Sequence, residues 1–172
     1  MTRSPFPARR PMAVGVGAAL LAASLASPVL AGPTVGIGST GEGTGALDLG
    51  YDWRFDLSDY HPALGARLAT GVLLLEGDEG SDNQAFYLRP ALRYSWKYLY
   101  LEGGIGASAF VDTQYEDRRL GSSFQFEDRL ALGTSLGPYG ELALSATHYS
   151  NASIKEPNDG LEVYMLNWLF AY

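Results

Sequence analysis

Ala46-Leu47-Asp48-Leu49-Gly50-Tyr51-Asp52-Trp53-Arg54-Phe55-Asp56-Leu57 changes character at every step. One parity carries Leu47, Leu49, Tyr51, Trp53, Phe55 and Leu57, and the other Ala46, Asp48, Gly50, Asp52, Arg54 and Asp56. Successive side chains of a β-strand point to opposite faces, so this stretch predicts a strand with an apolar face and a charged face. A half-buried strand of a secreted β-sandwich would read the same way. Repetition therefore has to decide. In 64–75, Leu64, Ala66, Leu68, Thr70, Val72 and Leu74 share a face, while Arg67 lies on the other. Further on, Phe86, Leu88, Pro90, Leu92 and Tyr94 oppose Tyr87, Arg89, Ala91 and Arg93.

Eight such segments are predicted, at 34–38, 46–56, 64–75, 85–95, 98–112, 122–136, 141–149 and 161–172. Most approach the 9–11 residues of a tilted membrane-crossing strand. Their connections alternate in length. Short turns fall at 58–63, 96–97 and 137–140; longer polar loops fall at 76–84, 113–121 and 151–160, with a shorter Gly-rich one at 39–45. One short-turn rim and one long-loop rim predict an all-β fold, an eight-stranded antiparallel transmembrane β-barrel. Tyr51, Trp53, Phe55, Tyr94, Trp96, Tyr98 and Tyr100 are placed near strand ends, where interfacial aromatic girdles lie. Asp48, Asp52, Arg54, Arg67, Arg89, Arg93, Glu102 and Arg129 fall on the opposite parity and would pair inside. An eight-stranded barrel is filled by such side chains, which argues against a porin.

The ends and the charge set further bounds. Arg3, Arg9 and Arg10 precede an apolar, Ala-rich run from Met12 to Leu25, and Val29-Leu30-Ala31 supplies small residues for cleavage. Residues 1–31 thus read as a secretory signal peptide and 32–172 as the barrel domain; the apolar run is short for a spanning helix. Removing three arginines leaves nine Lys+Arg against 19 Asp+Glu, a formal charge of −10. Nucleic acid calls for the opposite sign. The chain has no cysteine, hence no disulfide, thiol nucleophile or thiolate metal site.

The candidate chemistry lies in the last hairpin. In 141–150, His148 and Ser150 share parity with Leu142, Leu144 and Ala146; in 161–172, Glu162 shares it with Tyr164, Leu166 and Trp168. All three polar residues are therefore predicted on the lipid face, where polar groups are expensive and mark function. With a periplasmic N-terminus, the strand from Glu141 runs outward. His148 then stands roughly 16 Å above Glu141, at about 3.3 Å per residue and about 45° of tilt. That is the outer half of a hydrocarbon belt about 25 Å tall, the level of the acylated sugar of lipopolysaccharide. A serine, a histidine and a carboxylate are the set that ester hydrolysis uses as nucleophile, base and orienting group. The other histidine, His61, sits in a short turn beside Pro62 and reads as structural.

The segment His148-Tyr149-Ser150-Asn151-Ala152-Ser153-Ile154-Lys155-Glu156-Pro157-Asn158-Asp159-Gly160-Leu161-Glu162 resembles the signature of the outer-membrane lipid A 3-O-deacylases, the PagL family. The likeness is dense over this hairpin; upstream it rests on architecture and on Phe124-Gln125-Phe126-Glu127-Asp128. It implies a catalytic triad of His148, Ser150 and Glu162 and an oxyanion hole of the backbone amides of Asn151 and Ser153. Some members carry glycine at the position of Ser153. Asn158 also matches a family position and would brace the loop. The implied reaction is hydrolysis of the ester-linked acyl chain at the 3-position of lipid A, with no metal or cofactor, in the outer membrane of a Gram-negative cell. The implied partners are lipid A and the surrounding outer-membrane lipids; a homodimer is compatible with this reading and is not specified by it. Two rivals from other classes remain, a non-enzymatic structural or adhesion barrel and an acyltransferase that adds an acyl chain to lipid A.

Overall fold

The structure, a computed structural model, describes residues 29–170. Ten strands appear in chain order: β1 Leu30–Thr40, β2 Gly45–Asp56, β3 Leu64–Leu75, β4 Asn83–Trp96, β5 Leu99–Phe110, β6 Gln114–Tyr115, β7 Arg118–Arg119, β8 Phe124–Ser135, β9 Glu141–Ser150 and β10 Leu161–Leu169. Eight of them close an antiparallel barrel in the order β1-β10-β9-β8-β5-β4-β3-β2. The pairing of Val35 with Trp168 and of Ile37 with Leu166 removes the free edges. The two-residue strands β6 and β7 pair only with each other, as a small hairpin in the loop between β5 and β8.

All eight predicted segments are strands. The first is longer than its alternation suggested, 11 residues in place of five: Leu30 and Ala31 read as signal peptide, and Gly32, Pro33, Ser39 and Thr40 carry no apolar signal. The signal peptide reading concerns residues 1–31, and 1–28 lie outside the described residues. Ala31 itself pairs with Trp53 in β1.

The alternation sorts the side chains as expected. Leu49, Phe86, Leu88, Ile105, Leu130 and Leu144 stand exposed on the outer surface, as hydrocarbon requires. Inside, Arg89 Nε donates to Glu127 Oε2 at 2.6 Å and its Nη1 to Asp48 at 3.1 Å. Arg93 bridges Glu102 at 2.8 Å and Glu141 at 2.7 Å, Arg67 forks onto Asp52, and Arg54 meets Glu141. The void among these groups is only about 20 Å³, room for about one water.

Above this ionic layer, Leu73, Phe110, Tyr115, Leu120, Tyr149 and Met165 form an apolar cluster beneath the long loops. One aromatic is placed differently from the sequence expectation. Tyr100 lies on the inward parity of β5, 5% exposed, with the Arg93 guanidinium 3.6 Å over its ring. It fills the barrel instead of joining the girdle, whereas Tyr94, Trp96 and Tyr98 do stand exposed.

Candidate active site

Strand β9 divides its residues between two worlds. Ser145, Thr147 and Tyr149 are buried inside, while Leu144 and Ala146 are exposed outside and His148 and Ser150 are half-buried beside them. In β10, Val163 and Met165 point in, and Glu162, Tyr164 and Leu166 point out. The hairpin register sets Glu162 directly opposite His148. Their side chains meet, with His148 Nδ1 2.9 Å from Glu162 Oε1. An ionised carboxylate only accepts, so Nδ1 carries the hydrogen and Nε2 is left as the basic nitrogen.

Ser150 ends β9 on the same outer face, two residues beyond His148. That spacing is about 6.6 Å along the strand, within side-chain reach of the imidazole. No hydrogen bond joins Ser150 to His148 among the described residues; nucleophile–base bonds commonly tighten only when substrate arrives.

The residues after Ser150 turn sharply. Ala152 and Ser153 have φ of 52° and 58°, consecutive non-glycine residues in the left-handed region, each costing of order 1–3 kcal/mol. Ser153 thus adopts a backbone that glycine would take freely. The Asn151 amide differs from expectation. Its N–H donates to Asn158 Oδ1 at 2.9 Å, so it is already engaged. Asn158 braces the turn through that bond. The Asn151 side chain is buried and donates to the carbonyls of Leu120 at 2.8 Å and Lys155 at 2.7 Å.

His148 and Glu162 line a groove of about 350 Å³ on the outer surface, together with Asp128, Leu130, Ala146 and Tyr164. A second, apolar groove of about 530 Å³ shares Leu130, Ala146 and Tyr164 and continues to Leu101, Leu144 and Leu166. The two form one trough, polar at the loop end and apolar below. Asp128 pairs with His148 across β8–β9, on the side opposite Glu162. Sequence reasoning gave it no role. Its signal was present, since it interrupts the outward run Phe124, Phe126, Leu130, Leu132 as Glu162 interrupts that of β10. His61 lies in the turn between β2 and β3, away from the last hairpin, where its Nδ1 accepts the Ala63 N–H at 3.1 Å. Among the described residues no cluster of ligands suits a metal ion.

Residues 41–171 match the family model described as lipid A 3-O-deacylase (PagL). The lipid A deacylase PagL of Pseudomonas aeruginosa is 34% identical over 161 residues, 89% of this chain and 93% of that protein. The lipid A deacylase PagL of Bordetella bronchiseptica is 45% identical over 74 residues, 43% of this chain and 42% of its own length. The crystal structure of the outer membrane enzyme PagL superposes with a TM-score of 0.74 at 32% identity, covering 81% of this chain and 99% of that one. The barrel, the outward-facing hairpin and these matches agree, and the chain belongs to the lipid A 3-O-deacylase (PagL) family.

Proposed function

We propose that this protein is an outer-membrane serine esterase that removes the acyl chain esterified at the 3-position of lipid A, with Ser150, His148 and Glu162 as its triad. The observation that carries the reading is the 2.9 Å contact of His148 Nδ1 with Glu162 on a surface otherwise made for hydrocarbon. The ion pairs of the neighbouring barrel wall are inside, and titratable groups joined on the hydrocarbon-facing surface mark function.

The chemistry follows from the tautomer. Ser150 Oγ attacks the ester carbonyl carbon as His148 Nε2 takes its proton, and Glu162 stabilises the imidazolium. Collapse of the tetrahedral intermediate breaks the bond to the sugar oxygen, which leaves with that proton as the 3-hydroxyl. Water then attacks the acyl-serine, again giving its proton to Nε2, and the fatty acid departs as Ser150 recovers its hydrogen. The Ser153 amide, in the strained turn, is the oxyanion donor; the Asn151 amide joins it only where the oxyanion displaces Asn158 Oδ1. The acyl chain lies along the apolar trough toward Leu144 and Leu166, and the sugar sits above, among the loops.

The test is the mass spectrum of lipid A from cells making the wild type or Ser150→Ala. The wild type removes one 3-hydroxyacyl unit, and Ser150→Ala slows this by about 10³-fold or more while inserting and folding normally. Equal activity of the two would overturn the triad. Added mass would make the protein an acyltransferase, and unchanged lipid A from a folded wild type would favour a structural barrel.

A further inference from the structure

The loop that follows the nucleophile, 151–160, is held chiefly by the β6–β7 hairpin. That hairpin is itself rooted on several sides. Tyr115 is fully buried and its hydroxyl donates to the Glu76 carbonyl at 2.6 Å; burial pushes this phenol's pKa up, so it stays a donor. Asn83 Nδ2 holds the Asp112 carbonyl at 2.9 Å, and Gln125 Nε2 holds that of Leu120 at 3.1 Å. Arg118 pairs with Glu42 in the β1–β2 loop, next to Gly41, whose N–H donates to the Glu162 carbonyl at 2.8 Å.

From this platform a single residue of the catalytic loop takes most of the contacts. The Asp159 N–H donates to the Arg119 carbonyl at 3.2 Å, its Oδ2 accepts the Arg119 N–H at 2.8 Å, and its carbonyl accepts Arg118 Nη1 at 3.3 Å. Nearby, Gly121 at φ +73° lies so close that an added Cβ would stand 2.0 Å from the Pro157 carbonyl. The next residue, Gly160, lies beside the imidazole, leaving no room for a side chain: a Cβ there would meet His148 Cε1 at 2.9 Å.

We propose that Asp159 is a positioning residue for the hydrolysis, clipping the loop after Ser150 onto the β6–β7 hairpin and so fixing Gly160 against the His148 ring. This rests on the triad reading above. A long polar loop would otherwise sample many heights above the membrane, and a displacement of about 1 Å at a reacting centre can cost about 10²-fold.

The experiment compares kcat and KM on lipid A for purified wild type, Asp159→Ala, Asp159→Asn and Ser150→Ala. Asparagine keeps a side-chain oxygen for the Arg119 N–H; alanine does not. Asp159→Ala is expected to lower kcat about tenfold or more with KM within about twofold, and to speed hydrogen exchange in 151–160. Asp159→Asn should recover to within about threefold of the wild type. Wild-type kcat in Asp159→Ala, with Ser150→Ala inactive, would overturn the clip. So would equal losses in both Asp159 variants, or a raised KM at constant kcat, which would make Asp159 a substrate contact. Activity in Ser150→Ala would instead bring down the triad reading itself.

Discussion

The inner and outer faces of the barrel treat charge in opposite ways. Inside, Arg54, Arg67, Arg89, Arg93 and Arg129 meet Asp48, Asp52, Glu102, Glu127 and Glu141, and each carboxylate has an arginine within 4.0 Å. Signs balance in a space with little room for water. Outside, His148, Glu162 and Asp128 along the trough, and Ser150 at the end of β9, interrupt a surface of leucine, alanine and tyrosine. A buried charge costs several kcal/mol unless paired; the inner charges answer that cost with one another. The outer ones form a single pair and leave the serine unengaged. Charges that pair with one another hold a fold, and polar groups left partly unsaturated beside a groove are available for chemistry.

If that division is right, damage to the inner network should cost stability and leave catalysis alone. The largest such effect is expected for Arg89→Ala, which strands Asp48 and Glu127 together in the interior. The loss should be about 3–5 kcal/mol, read as a shift in the urea midpoint of the lipid-embedded barrel. Deacylation per folded molecule should remain within about twofold. A variant that kept its midpoint but lost activity would break the comparison, because the inner network would then be serving the outer face.

A smaller and reversed effect is expected of Gly160→Ala. At φ +70° a Cβ is strained, and it would meet His148 Cε1 at 2.9 Å. The imidazole must give way by a few tenths of an ångström, which should lower kcat about tenfold. Gly137→Ala is the control: φ is +62°, yet nothing lies within 4 Å of the added Cβ. It should carry a stability cost of about 1 kcal/mol with no change in kcat. Equal kcat for both variants would mean that the Gly160 contact does not set the ring.

Much of this was legible in the sequence, for a physical reason. A strand in a one-layer barrel has one face in hydrocarbon and one in a charged interior, so its pattern repeats every two residues with little interference. That is why Leu64–Leu75 could be bounded in advance, and why His148 and Glu162 could be set on one face before their contact was seen. Tyr100 was misplaced by grouping aromatics by distance from a turn; the parity of its neighbour Glu102 would have sent it inward. Glu127 was overlooked because it lies between Phe126 and Asp128, where the alternation is interrupted by an outward carboxylate. The β6–β7 hairpin left no pattern at all. Its grip on the 151–160 loop runs mostly through backbone groups, the carbonyls of Leu120 and Arg119 and the amide of Arg119, joined by Arg118 Nη1 on the Asp159 carbonyl.

The smallest effect is expected of Ser153→Gly, and it tests how many polar groups the outer face employs. Serine at φ 58° pays about 1–2 kcal/mol for the left-handed backbone. Glycine removes that strain, yet it costs about 0.5–1 kcal/mol of extra conformational entropy. The two nearly offset, so the urea midpoint should rise by the equivalent of no more than about 1 kcal/mol. The rate should stay within about threefold, because an oxyanion donor at this position is the backbone amide and glycine keeps it. A larger fall in kcat at unchanged stability would assign work to the Ser153 hydroxyl. The outer face would then hold another reacting or substrate-binding group beyond the proposed triad, in a turn whose strain had looked like a matter of backbone alone.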